Sequence, residues 1–382
     1  MKIVADENIP AVAEAFADLG EVERLPGREI HARHLRDCRC LLVRTVTRVD
    51  ADLLRDSKVE FVASATVGTD HVDLQYLKDR GIGFSNAAGS NAEAAAEYVV
   101  AGLFALSERG GFDPFTSRVG IIGLGNIGGR LYQILSTLGI QCLTCDPPLA
   151  AAGRNDPEFV DLDTLLRECN VVSLHVPLTT TGEHPTFHLL DAARLAALKP
   201  DCLLINAARG EVVDNRALAS LLERRRDLQV FLDTWEHEPR IATELLDRVD
   251  LATPHVAGYS VEGRLRATQM ILDAACMHFG CESGWQMSMH LPAARGLTPP
   301  DADSKSEFWQ ALFRAHYDIW RDHEHLVAAV NMDDAKRASH FDALRKSYPQ
   351  RFEYGSRIIG DAVDRQRADL LAQLGFRLDS GN

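Results

Sequence analysis

No apolar run in this chain approaches the ~18–20 residues needed to cross a bilayer, so no membrane span is expected. Positive charge is short as well: 41 Lys and Arg stand against 55 Asp and Glu, a formal net charge of −14. That balance argues against nucleic acid or an anionic membrane as partner, while leaving room for a local basic pocket around a small anion. No apolar leader is expected, because Asp6 and Glu7 interrupt the first residues, and a cytoplasmic protein is expected. Cysteine is sparse and scattered, eight residues in 382. Cys142 and Cys145 make a formal C-x-x-C pair, but they fall in an expected strand, where residues three apart point to opposite faces, so neither a redox pair nor zinc is expected. His323 and His325 lie in a charged helical stretch where i and i+2 do not share a face. His31 and His34 have no acids or cysteines clustered beside them. All four are read as surface histidines, and no metal is expected. Internal repeats and low-complexity tracts are absent too.

What is present is the composition of an ordinary globular protein, 46% apolar and 25% charged, with length for two or three domains. The strongest local signal is Gly123-Leu-Gly125-Asn126-Ile127-Gly128. It follows the apolar run Val119–Ile122 and opens a helical pattern through Ile127, Leu131, Ile134, Leu135 and Leu138. A second apolar run, Ile140–Cys145, leads into Asp146. This is a βαβ dinucleotide fingerprint in its full context. One glycine permits the tight turn, the next lets backbone approach the pyrophosphate, and the third lets helix and strand pack closely. The helix start offers free N–H groups to the phosphates. Asp146 accepts from the adenosine ribose hydroxyls and is followed by Pro147 and Pro148 rather than an arginine, so NAD is expected over NADP.

The nucleotide unit starts in mid-chain. Residues 1 to about 90 carry their own α/β alternation, with strands expected at 2–5, 40–44, 61–65 and 82–85 and helices at 10–19 and 50–57, which implies a parallel sheet. A long Ala-rich helix is expected from about Asn91 to Arg109, closed by Gly110-Gly111. Near-continuous apolar runs at 171–174, 203–206, 230–233 and 251–253 read as buried parallel strands. A helix is expected over 259–280, a linker over 283–304, and a third unit over about 305–382. In that unit Phe308, Leu312, Ile319 and Leu326 suggest one long helix, Phe341 and Leu344 a second, and Leu370, Leu371 and Leu374 a third. Phe308, Trp309, Leu312, Phe313, Ile319 and Trp320 make a stripe wider than one shallow packing face needs, and a homodimer surface is expected there.

Three residues stand at or just beyond the ends of successive strands, where open α/β sheets bind ligands. Arg209 lies in Ile205-Asn-Ala207-Ala208-Arg-Gly210, Glu238 in Asp233-Thr-Trp-Glu-His-Glu-Pro239, and His255 in Thr253-Pro-His-Val-Ala-Gly258. A hydride enzyme acting on a 2-hydroxy acid needs a base near neutral pH, a bidentate cation for the carboxylate, and an acid to hold the imidazole. Singly, Arg209 could be a capping residue, Glu238 a surface acid and His255 a core histidine; together they form a catalytic set.

Across about residues 1–280 the chain resembles the D-isomer-specific 2-hydroxyacid dehydrogenases. The matching blocks are the glycine motif with Asp146, His175-Val-Pro-Leu178, Ile205–Asp214, Asp233–Pro239 and Thr253–Gly258. Within the family it looks most like the branch that oxidises a phosphorylated 2,3-dihydroxy acid in pyridoxal-phosphate biosynthesis. Val43–Thr47, Ala65–Asp73, Asp146-Pro-Pro148, His255–Tyr259 with Ser260–Gly263, and the C-terminal unit carry that narrower likeness. The resemblance implies a Rossmann doubly wound NAD-binding domain (91–256) inserted in a flavodoxin-like α/β substrate domain (1–90 and 257–285), plus a C-terminal dimerisation domain (286–382). It implies His255 as acid/base, Glu238 as its partner and Arg209 as carboxylate clamp. Cofactor contacts are implied for Gly123, Gly125, Asn126, Ile127, Gly128, Asp146, Val176, Ala207, Ala208, Asp233 and Gly258, with Asp233 at the nicotinamide carboxamide. Substrate contacts are implied for Thr45, Thr66 and Tyr259. Arg44 and Thr45 are the best candidates for the phosphate end, and the Thr66-Val67-Gly68 loop offers backbone N–H groups to an anion. One departure concerns Val176, where the branch pattern has Thr: a hydroxyl contact to cofactor is lost there while a backbone contact is kept. D-glycerate or 3-phospho-D-glycerate remain alternative substrates, although the tail lacks the βαββαβ pattern of a regulatory domain. An NADH-sensing corepressor on the same fold is the alternative of another class.

Overall fold

Short runs of branched apolar residues build the first sheet. Strands β1 (Lys2–Asp6), β2 (Glu21–Leu25), β3 (Cys40–Val43), β4 (Phe61–Ser64) and β5 (Gly83–Asn86) pair in parallel in the order β2-β1-β3-β4-β5. Register follows Ile3 on Cys40, Leu41 on Val62 and Val62 on Phe84. Period-two alternation feeds two cores. Ile3, Ala5, Leu42, Phe61 and Ala63 pack with Leu265, Ile271, Leu272 and Ala275 of the helix Val261–Phe279, while Val4, Leu41, Val43 and Val62 pack on the opposite face with Leu35, Leu54 and Leu77. β2 had no apolar signature because it is a charged edge strand, with Lys2 paired to Glu23 at 2.8 Å; edges of this kind resist pairing with other chains. The expected helix over 10–19 is a single turn, Val12–Ala15.

This computed structural model describes residues 1–155, 157–360 and 363–379. It divides into two compact units, Met1–Ala92 with Ser260–Ala293, and Glu93–Tyr259 with Ala294–Asn382. The first contains the sheet just described. The second holds β6 (Arg118–Ile122), β7 (Gln141–Cys145), β8 (Val171–Leu174), β9 (Leu203–Asn206), β10 (Gln229–Leu232) and β11 (Leu251–Ala252), all parallel, in the order β11-β10-β9-β8-β6-β7. A lone parallel bridge joins Thr144 of β7 to Phe159. The order is therefore the doubly wound dinucleotide order with its third strand reduced to one bridge. One face packs on the buried helix Ala92–Glu108 and the helix Asn126–Thr137; the other buries Leu165, Leu195, Leu218 and Leu245. Cys142 joins the first of these cores and Cys145 the second, so the two thiols diverge as their spacing requires. Burial pushes them up to about 12 and about 11.

The C-terminal segment departs from its expected form in three ways. The long helix is two, Lys305–His316 and Trp320–Val327. They separate where Tyr317 turns to extended backbone and sends its hydroxyl to Asp322. The expected linker contains β12 (Arg295–Leu297), which pairs with β13 (Arg357–Ile359) and β14 (Arg377–Leu378) in a small parallel sheet. The apolar stripe is also covered by the chain itself. Phe308, Trp309, Leu312, Phe313 and Ile319 are buried among Val99, Leu103, Phe104 and Leu135, so the stripe marks an internal core and not a partner surface. His323, expected at the surface, is half-buried: its Nδ1 accepts the Ala252 N–H at 3.0 Å, and burial lowers its pKa to about 4.

Candidate active site

The glycine loop after β6 has three different neighbourhoods. Gly123 has φ +87°, and a Cβ there would stand 2.7 Å from the His175 carbonyl oxygen. A Cβ on Gly128 would sit 1.9 Å from the Gly123 oxygen. At Gly125 a Cβ would meet nothing within 4 Å. Gly125 is also the N-cap of the helix Asn126–Thr137 and makes no side-chain cap bond, so no capping side chain competes with a pyrophosphate for the first N–H groups. At the end of β7, Asp146 Oδ2 accepts the Leu124 N–H at 2.7 Å and Oδ1 accepts the Leu149 N–H at 3.0 Å. The acid thus ties the ribose end of the site to the glycine loop. Beneath the loop lies His175, its Nε2 2.8 Å from Ser173 Oγ, with a pKa lowered to about 4 by burial. These features fit a dinucleotide. Arg154, which the sequence reading passed over, donates to the Leu124 carbonyl at 3.4 Å.

The loops after β9, β10 and β11 carry Arg209, Glu238 and His255. After β9, the Asn206 side chain accepts from the Ala208 N–H at 3.1 Å and donates to the Arg209 carbonyl at 2.8 Å. Gly210 then passes so close to Trp235 that a Cβ would lie 2.0 Å from its carbonyl, which seats the Arg209 loop against the loop after β10. The Arg209 Nη1 donates to the Ala208 carbonyl at 2.8 Å. Asp233, fully buried, accepts from Thr253 Oγ1 at 2.7 Å and from the Val256 and Ala257 N–H groups at 2.9 Å each. It fixes the turn that carries His255, whose φ of +56° is unusual for a residue with a side chain.

Glu238 and His255 meet directly. His255 Nδ1 stands 2.7 Å from Glu238 Oε2, and Glu238 Oε1 accepts the Trp235 N–H at 2.9 Å. Burial alone would raise the Glu238 pKa, but the charge and hydrogen bond of His255 and the Trp235 N–H outweigh it and hold the carboxyl below its ordinary range. With Nδ1 engaged, Nε2 is the ring nitrogen left for proton exchange.

Two arginines from the C-terminal segment reach this region. Arg351 donates to the Tyr259 carbonyl at 2.9 Å, to the Ala94 carbonyl at 3.0 Å and to the Ala257 carbonyl. Arg345, on the helix Asp334–Lys346, lies within hydrogen-bonding reach of the Tyr259 hydroxyl. Neither had a sequence signal: an arginine in a charged stretch reads as solvated surface.

In the first unit, Arg44 and Thr45 follow β3, beside β1, at the point where the strand order reverses. Thr45 is exposed. After β4, the Thr66 hydroxyl lies 2.7 Å from Ser64 Oγ and donates to the Gly68 carbonyl at 3.5 Å; Asn86 Nδ2 donates to the Val67 carbonyl at 2.7 Å. Ser64 also meets His71 Nε2 at 3.1 Å. Ser64, His71 and Asn86 shape this loop and were not foreseen. Of the groups that could hold a metal, the described residues contain one, His188, Asp214 and Glu236. His188 and Glu236 bond each other at 2.6 Å, and backbone N–H groups engage both acids.

Residues 85–257 match the family described as D-isomer specific 2-hydroxyacid dehydrogenase, NAD binding domain, and residues 300–375 match a domain of unknown function (DUF3410). The erythronate-4-phosphate dehydrogenase of Azotobacter vinelandii is 47% identical over 368 residues, 95% of this chain and 96% of that one. That of Pseudomonas aeruginosa is 46% identical over 382 residues, 99% of this chain and 100% of that one. The NAD+-bound 3-phosphoglycerate dehydrogenase of Entamoeba histolytica shares the fold, with a TM-score of 0.63 at 23% identity over 73% of this chain and 95% of that one. No helix among the described residues is long and apolar enough to cross a membrane. The chain belongs to the erythronate-4-phosphate dehydrogenases, NAD-dependent oxidoreductases within the D-isomer specific 2-hydroxyacid dehydrogenases.

Proposed function

We propose that the chain oxidises 4-phospho-D-erythronate to (R)-3-hydroxy-2-oxo-4-phosphooxybutanoate in pyridoxal-phosphate biosynthesis. The observation that carries this reading is the 2.7 Å contact between His255 Nδ1 and Glu238, on loops at the carboxyl end of the sheet that bears the glycine loop. Bound NAD supplies the hydride acceptor. His255 takes the proton of the 2-hydroxyl on Nε2, and Glu238 orients the ring and stabilises the charge it gains. Arg209 holds the carboxylate by its planar fork. Asp233, with three donors already bound, keeps a lone-pair site for the nicotinamide carboxamide. The glycine loop, Asp146, Ala207, Ala208 and Gly258 complete the cofactor contacts, with Val176 contributing through its backbone.

Thr45, Thr66, Val67, Gly68 and Tyr259 contact substrate in this reading, with Arg44 toward the phosphate. The substrate domain comprises 1–90 and 257–285, and the cofactor domain 91–256. Residues 286–382 make a homodimer, a role that rests on family likeness because the apolar stripe is internally covered. A cytoplasmic setting agrees with eight free cysteines.

The test is NADH formation from 4-phospho-D-erythronate beside D-glycerate and 3-phospho-D-glycerate, with and without a 2-oxo acid acceptor. Turnover of the first well above the others supports the reading. Preference for either glycerate would reassign the substrate, and no turnover of any would point to a nucleotide-sensing role.

A further inference from the structure

Arg345 sits on the buried side of its helix. Arg337 and Phe341 are buried on the helix Asp334–Lys346, and Arg345, one turn beyond Phe341, continues their face with Cζ 5.9 Å from that ring. Its guanidinium lies beside the Tyr259 hydroxyl, in the field of Glu238 and Asp233. Its Nε is buried and has no hydrogen-bond partner among the described residues. A guanidinium offers five donors and no acceptor, and a buried donor left unmatched is a standing cost that an arriving acceptor removes. The neighbouring acids are already engaged: Glu238 by Trp235 and His255, Asp233 by Thr253, Val256 and Ala257. The unmatched Nε is open to an acceptor from a ligand, and an anionic oxygen suits the fork.

We propose that Arg345, with the Tyr259 hydroxyl, binds the phosphate group of the substrate, so that the C-terminal segment supplies a specificity-determining residue to the active site. This rests on the oxidation proposed above, in which Arg209 takes the carboxylate; a phosphate dianion carries charge for a cation in addition to Arg44. A phosphate has oxygens enough for both the guanidinium and the phenol, and the arginine offsets its repulsion from Glu238.

Arg345→Gln and Arg345→Lys test the assignment on 4-phospho-D-erythronate and on unphosphorylated D-erythronate, beside thermal unfolding with and without inorganic phosphate. For Arg345→Gln, KM for the phosphorylated acid should rise roughly ten- to hundredfold, with kcat/KM for the unphosphorylated acid within about twofold. Arg345→Lys should recover part of the loss, because an ammonium keeps the charge without the fork. Inorganic phosphate should raise the wild-type Tm and fail to do so in Arg345→Gln. Equal loss on both substrates, no loss on either, or a phosphate-dependent Tm shift that persists in Arg345→Gln would overturn the assignment. If Arg345→Gln does not fold, Arg345→Lys carries the same comparisons. The melting arm needs no turnover, so a wild-type chain that makes no NADH would defeat the oxidation reading and still leave phosphate binding at Arg345 decided.

Discussion

Thr45 and His255 each follow a buried strand of a parallel sheet, yet they are held in opposite ways. Thr45 is exposed, and its turn is closed by the Thr47 N–H donating to the Arg44 carbonyl at 3.1 Å and Thr47 Oγ1 donating to the Gly27 carbonyl at 2.8 Å. Around His255, the carboxylates of Asp233 and Glu238 and the guanidinium of Arg351 bind backbone or side chain of Thr253, His255, Val256, Ala257 and Tyr259. Proton and hydride transfer depend on geometry held to fractions of an ångström. Anion recognition by a long cation and backbone N–H groups tolerates more play. On the proposed reading, the tightly bonded loops serve the reaction and the exposed one serves recognition.

Substitutions on the two sides should separate these roles. His255→Gln should give the largest effect, a fall in kcat of ~10²–10⁴-fold with NADH affinity by fluorescence unchanged; a loss under about tenfold would remove His255 as the base. Arg209→Lys comes next, with kcat/KM down roughly ten- to hundredfold despite the retained charge, and near-wild-type kinetics would show that no carboxylate fork is needed. Arg44→Ala should weaken the phosphorylated substrate about tenfold and leave an unphosphorylated 2-hydroxy acid untouched. Equal losses on both would make Arg44 structural and blur the comparison.

The smallest expected effect is a displacement along the pH axis. Glu238 is held below the usual carboxylate range, so it is anionic at neutral pH and stands as a counter-charge 2.7 Å from the His255 imidazole. Oxidation needs that imidazole neutral. In Glu238→Gln the imidazolium loses its counter-charge, and the acidic limb of the kcat/KM profile should move to lower pH. By linkage, a carboxyl whose folded pKa is depressed adds stability above its unfolded value and loses it as pH falls through the folded one. The acid side of the Tm profile should therefore flatten in the same variant. A limb that stays fixed or moves upward would take Glu238 out of its role.

Much of this was legible in the chain because parallel strands buried on both faces leave near-continuous apolar runs. Val171–Leu174 and Leu203–Asn206 were read to the residue. The glycine loop and the Glu238–His255 pair were readable because turn chemistry and strand ends fix their positions. β2 was missed because charge, not apolar patterning, marks an edge strand. The break at Tyr317 was missed because its cause, three tyrosine hydroxyls gathered on Asp322, joins residues as distant as Tyr98 and Tyr348. Arg345 and Arg351 were invisible for the same reason: only tertiary packing separates a buried arginine from a solvated one. The stripe from Phe308 to Ile319 was read correctly as apolar and wrongly as external, since periodicity reports that a face is covered and not by what.

The burial of that stripe bears on how the chain is made. Two separate family descriptions meet residues 85–257 and 300–375, which suggests independent modules. Yet Phe308, Trp309, Leu312 and Phe313 share one core with Val99, Leu103, Phe104 and Leu135. Synthesis runs from the N-terminus, so one helical face of the nucleotide sheet is finished before the residues that cover it leave the ribosome. For that interval an aromatic-sized apolar surface stands open, a demand on chaperones that ends only when the last helices arrive.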